Sequence, residues 1–68
     1  MTWDEFEGKL KNMTGVHVRH ESDTIGNFLI VDIGKIKTDY FLISHINNPD
    51  DYMARHYISL VRTIVACM

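Results

Sequence analysis

Large apolar residues recur at Trp3, Phe6, Leu10 and Met13, a spacing of three and four that puts them on one helical stripe. Thr2-Trp3-Asp4-Glu5 reads as a capping box ahead of it: the Thr2 hydroxyl accepts from the backbone N–H three residues on, and Glu5 reaches back. Asp4, Glu5 and Glu7 lie toward the positive end of the helix dipole, and Lys9 and Lys11 toward the negative end. Gly15 is a suitable stop, so the pattern predicts a helix over 3–13.

The period then changes from helical to two. Val16-His17-Val18-Arg19-His20-Glu21 alternates, and Ser22-Asp23-Thr24-Ile25-Gly26-Asn27 is turn chemistry. The stretch FLIVDIGKIKTDYFLI, residues 28–43, is apolar on both sides of Gly34-Lys35. Strands are predicted over 16–21, 27–33 and 36–45, the last two joined by a two-residue type II′ turn with glycine at its first central position. Asn48-Pro49-Asp50-Asp51 starts a second helix, predicted over 49–66 with Asn48 as cap and Pro49 in the first helical position. Met53, Tyr57, Leu60, Val61, Ile64 and Met68 form its apolar face; Arg55, Ser59, Arg62 and Ala66 form a polar or small one. Tyr52 and Arg55 flank the apolar arc and are within reach of a partner. The order α-β-β-β-α defines an α+β class: one domain over 1–68, a three-stranded antiparallel meander with two helices packed on one face.

A two-residue turn would pair Ile33 with Ile36, Asp32 with Lys37, Val31 with Thr38, Ile30 with Asp39, Leu29 with Tyr40 and Phe28 with Phe41. One sheet face then carries Leu29, Val31, Ile33, Ile36, Thr38, Tyr40 and Leu42 and belongs under the helices. The other carries Asp32, Lys37 and Asp39 near the turn, and Phe28, Ile30, Phe41 and Ile43 beyond it. With both helices on the first face those four lack a cover, and an exposed apolar patch marks an interaction surface. The alternative is a helix that crosses to the far side and buries them. If Val16 and Val18 point to the core, His17 and Arg19 lie beside the patch. The expected partner-binding residues are therefore Phe28, Ile30, Phe41, Ile43, His17 and Arg19.

Charge and size narrow the partner. The formal net charge is −2, with no basic stripe of the kind a sequence-blind nucleic-acid binder shows. No apolar run is long enough to span a membrane, and the acidic, amphipathic start is unlike a signal peptide. A secreted domain of 68 residues would ordinarily carry paired cysteines, and Cys67 is single. A cytoplasmic location is expected, the host cytoplasm if the protein is viral. A core this small barely offsets the cost of ordering the chain, which favours a homodimer or another protein partner.

Candidate chemistry is sparse. His17 and His20 would point to opposite faces of one strand, and His45 and His56 fall on other segments. No HExxH or CxxC is present. Cys67 sits at a helix C-terminus, where the dipole disfavours a thiolate, and is expected as a buried thiol. Asp32, within an apolar run, is expected to be an ion-paired rim residue opposite Lys37. No catalytic, cofactor-binding or metal-binding residue is predicted, and the chain is not expected to be an enzyme.

The element order and length resemble those of a double-stranded-RNA-binding domain. Such domains carry a basic cluster where the last helix opens onto phosphates; here that place reads Asn48-Pro49-Asp50-Asp51 and is acidic, which fits dimerisation better than RNA binding. The leading functional expectation is a small stoichiometric protein-binding module: a regulator, adaptor or inhibitor resembling those encoded by phages and mobile elements. The alternative is a nucleic-acid or nucleotide binder using His17, Arg19, Lys35 and Lys37 with Phe28.

Overall fold

The computed structural model describes all 68 residues. In chain order they form α1 (Trp3–Lys11), β1 (Val16–Ser22), β2 (Asn27–Ile33), β3 (Lys37–Leu42) and α2 (Asp51–Ala66). The strands make one antiparallel sheet in the order β1-β2-β3. Phe6 and Leu10 of α1 and Ala54, Tyr57, Ile58 and Val61 of α2 join Val16, Leu29, Val31 and Ile33 of the sheet in one core. Both helices thus lie on the same face, and the expected α+β meander is the fold.

Local chemistry sets the helix ends. Thr2 and Glu5 form the capping box: the Glu5 N–H donates to the Thr2 hydroxyl at 3.1 Å, and the Thr2 N–H to the Glu5 carboxylate at 3.3 Å. Helix α1 stops at Lys11 rather than at residue 13, and Met13 still packs against the core. At α2 the cap is Asp50 and not Asn48, because its carboxylate takes the Met53 N–H at 3.0 Å; Pro49 lies ahead of the helix. Leu60 and Met68 of the predicted apolar face are exposed, while Ala54 and Ile58 are buried in their place, so the core stripe is rotated on α2. Cys67 caps the last turn and is exposed, contrary to the expected buried thiol.

Strand β1 takes the register that points Val16 and Val18 toward the core, with Val16 opposite Ile33 and Ser22 opposite Asn27. Strand β3 does not follow the two-residue turn. Gly34 does adopt a positive φ of 52°, and the Ile36 N–H closes the turn onto the Ile33 carbonyl at 3.0 Å. The ladder, however, resumes with Ile33 opposite Lys37, leaving Ile36 as an extra, exposed residue. One additional residue reverses every side chain of β3. Phe41 and Ile43, expected on the open side, pack against the core under the helices. Tyr40, Thr38 and Leu42, expected in the core, belong to the open face with Phe28 and Ile30. The expected Asp32–Lys37 pair is absent: Thr38 stands opposite Asp32, and Lys37 pairs with Asp39 at 3.2 Å.

Packing favours this register. The Phe41 ring meets Phe6 at 5.4 Å and Tyr57 at 5.0 Å, both edge to face, and Trp3 at 6.3 Å. Such pairs contribute roughly 0.5–1.5 kcal/mol each beyond the area they bury. Asp39 comes within 2.7 Å of the Tyr57 hydroxyl, which donates to it. Burial first, and then this bond, push the Tyr57 phenol far above its ordinary pKa, so it stays a donor.

Polar ties hold the edges. Lys11, one turn along α1, and His20 of β1 both reach Glu7 at 2.6 Å, and the His20 contact joins α1 to β1. Burial alone would raise the Glu7 carboxyl; the hydrogen bonds from Lys11 and His20 outweigh it and hold it below the usual range. The Trp3 indole N–H donates to the Ile46 carbonyl at 2.8 Å and anchors the β3–α2 connection on α1.

Candidate functional site

No helix or loop of the chain covers the face of the sheet opposite the helices. Alternation along each strand presents three residues there from β1 (His17, Arg19, Glu21), three from β2 (Phe28, Ile30, Asp32) and three from β3 (Thr38, Tyr40, Leu42). The face divides into a polar end beside the Gly34 turn and an apolar end away from it.

At the polar end Asp32 is the hub. The Arg19 guanidinium donates to one carboxylate oxygen at 2.9 Å and the Thr38 hydroxyl to the other at 2.8 Å. Arg19 also pairs with Glu21 at 2.6 Å. The bond from Arg19, and then that from Thr38, hold the Asp32 carboxyl below its ordinary pKa. Asp32 is therefore an ionised anchor, ion-paired as expected but with Arg19 as its partner instead of Lys37.

At the apolar end Ile30 sits between Arg19 and Tyr40 in the ladder and is only 1% exposed. Its cross-strand neighbours hide it without a second layer. Phe28 and Leu42 are half-buried, and Tyr40 is 63% exposed. Between Phe28, Ile30 and Tyr40 the surface sinks into a hollow of about 130 Å³ whose mouth carries Glu21, Ser22 and Asp23. Its lining contains two carboxylates and no cation.

The six residues expected to meet a partner are thus separated. His17, Arg19, Phe28 and Ile30 share the open face; Phe41 and Ile43 are on the helix side. Tyr40 and Leu42 complete the open patch, and they escaped the sequence reading because their inclusion depends on the extra residue Ile36. The alternative set for nucleic acid is dispersed as well: Arg19 and Lys37 are each held by carboxylates, on opposite faces, and Lys35 lies in the turn. Tyr52 is exposed on α2 and stacks on His56, remote from the open sheet face.

His, Cys, Asp and Glu side chains nowhere gather in a group of three that could hold a metal ion. No helix is long and apolar enough to cross a membrane. Comparison of the chain with protein-family models, with curated proteins and with solved structures finds no match.

Proposed function

We propose that this chain is a small protein-binding module that acts stoichiometrically, as a regulator, adaptor or inhibitor, by laying its open sheet face against a protein partner. The observation that supports this reading is the hollow beside Tyr40. It has room for one branched aliphatic side chain, an apolar wall of Phe28 and Ile30, and the Asp23 carboxylate in its lining, Glu21 being held by Arg19. The matching partner presents an apolar anchor next to a lysine or arginine. A hollow that seats one anchor while polar neighbours exclude water is the usual anatomy of a binding hot spot. Its mode of action is steric: a masked surface on the partner, with no chemical step.

A second copy of the chain is the other occupant to consider, since a domain of this size gains stability by pairing. Mass in solution by sedimentation separates the two. A monomer at micromolar concentration leaves the face free for a different protein; a dimer dissolved by Tyr40→Arg assigns the face to self-association. For a different protein, the test is selective capture. A partner retained by the wild type and by Tyr52→Ala, and lost by Tyr40→Ala and by Phe28→Ala, supports the proposal. Capture indifferent to both open-face substitutions overturns it.

A further inference from the structure

The groove between the two helices holds an excess of positive charge: three cations against one carboxylate. Its α1 wall carries Glu5 and Lys9, and its α2 wall carries Arg55, Ser59 and Arg62 over a floor of Ile58. The groove is open to solvent, with a volume of about 620 Å³. The spacings explain the walls: Glu5 and Lys9 are one turn apart, and Arg55, Ser59 and Arg62 follow one another down one side of α2.

The chain has seven lysines and arginines. Lys11, Arg19 and Lys37 are neutralised by Glu7, by Asp32 and Glu21, and by Asp39. Lys9, Lys35, Arg55 and Arg62 have no ion pair, and three of these four line the groove. Of the nearby carboxylates, Asp51 takes the Met1 amino group at 2.6 Å, while Glu5, which accepts from the Thr2 N–H and hydroxyl at 3.3 Å, keeps its charge in the groove wall and offsets one of the three cations. In a chain of net charge −2, three unpaired cations against one carboxylate in a single groove stand out. Two guanidiniums and an ammonium provide the forked and point donors that phosphate oxygens take.

We infer that this groove binds a small molecule bearing two or more adjacent phosphates, such as pyrophosphate or the phosphate chain of a nucleotide. The volume is that of a small-ligand site. The lining holds no aromatic ring on which a base could stack, so the phosphates and not a base carry recognition. The groove lies on the helices and the proposed protein-binding face lies across the sheet, so either reading stands without the other.

The test is a titration of the ¹⁵N-labelled chain with inorganic pyrophosphate at low salt, followed by amide and arginine Nε resonances. Saturable shifts confined to residues 5–9 and 55–62 are expected. Arg55→Gln and Arg62→Gln should each weaken the interaction about tenfold, the loss for a hydrogen bond to a charged group. Lys35→Gln should leave it unchanged, and the spectrum of each variant reports whether the fold persists. Absence of shifts at millimolar pyrophosphate, or equal shifts at Lys35 and Lys37, overturns the inference. So does equal affinity for a glutamate-rich peptide, which would make the groove a general anion surface, or tighter binding of duplex RNA, which would make it a nucleic-acid contact.

Discussion

The two faces of the sheet are built from the same three strands yet reach dryness by different means. On the helix side, Phe41 meets Phe6, Tyr57 and Trp3, and Leu29, Val31 and Ile33 lie beneath α1 and α2. On the open side a single aliphatic residue, Ile30, is hidden by its neighbours within the sheet, and Tyr40 lies beside it largely exposed. Tyr40 and Phe41 are adjacent aromatic residues on one strand. Their roles are set by pairing and not by hydropathy: one is core and the other is surface because Ile36 was left out of the ladder. A half-open sheet of this kind is a common plan for antiparallel structure, with one face packed and one solvated.

Substitutions on the two sides should separate accordingly. The largest effect belongs to Phe6→Ala, which empties the centre of the aromatic cluster. Its ring is fully buried, and the loss should be about 3–5 kcal/mol, enough to unfold a domain of ordinary marginal stability. Circular dichroism would then show an unfolded chain at room temperature; a native-like spectrum with an unchanged midpoint would mean the core is centred elsewhere.

Phe41→Ala comes next, at about 2 kcal/mol, less than a fully buried ring because Phe41 retains some exposure. Urea denaturation measures it. Had β3 followed the two-residue turn, this substitution would cost almost nothing and Tyr40→Ala would be the damaging one, so the pair decides the register directly. Tyr57→Phe keeps the ring and removes the donor to Asp39, for an expected loss of about 1 kcal/mol in the same measurement.

Acid should act on both sides at once. Glu7 on the helix side and Asp32 on the open side have folded pKa values below those of the unfolded chain. Asp51, ion-paired with the Met1 amino group, is lowered too. A depressed carboxylate stabilises the fold above its unfolded pKa, about 4, and that contribution fades as pH falls through the lower folded value. The thermal midpoint should be level from neutrality to about pH 5 and decline below about pH 4. In Asp32→Asn the decline should be shallower, and an unchanged profile would show that its bonds to Arg19 and Thr38 are absent in solution. The smallest effect on stability is that of Tyr40→Ala, within about 0.5 kcal/mol, as for other exposed positions. Loss of partner binding with an unaltered urea midpoint is the outcome that fits a docking residue.

Much of the architecture was legible along the chain because it depends on neighbours three or four residues away. The Trp3-Phe6-Leu10 stripe, the Thr2–Glu5 box, the break at Gly15 and the alternation from Val16 each report a local preference, and each element formed within a few residues of its predicted span. The cap of α2 slipped from Asn48 to Asp50 because both residues are good caps, and only the chain path to Met53 chooses between them. The open face of the sheet was half legible. The uninterrupted run of β2 put Phe28 and Ile30 on the correct side of the sheet, although Ile30 is buried there and not exposed as expected, whereas Phe41 and Ile43 were assigned through a turn whose length is ambiguous by one residue.

The periodicities of residues 3–66 dictated two helices, three strands and their order, since each is a short-range balance of propensity, capping and turn chemistry. Which side of β3 is wet was beyond their reach. Both of its faces are apolar enough to be core, so the choice fell to long-range contacts: Phe41 with Phe6 and Tyr57, and the Tyr57 hydroxyl with Asp39, which only the folded arrangement brings together.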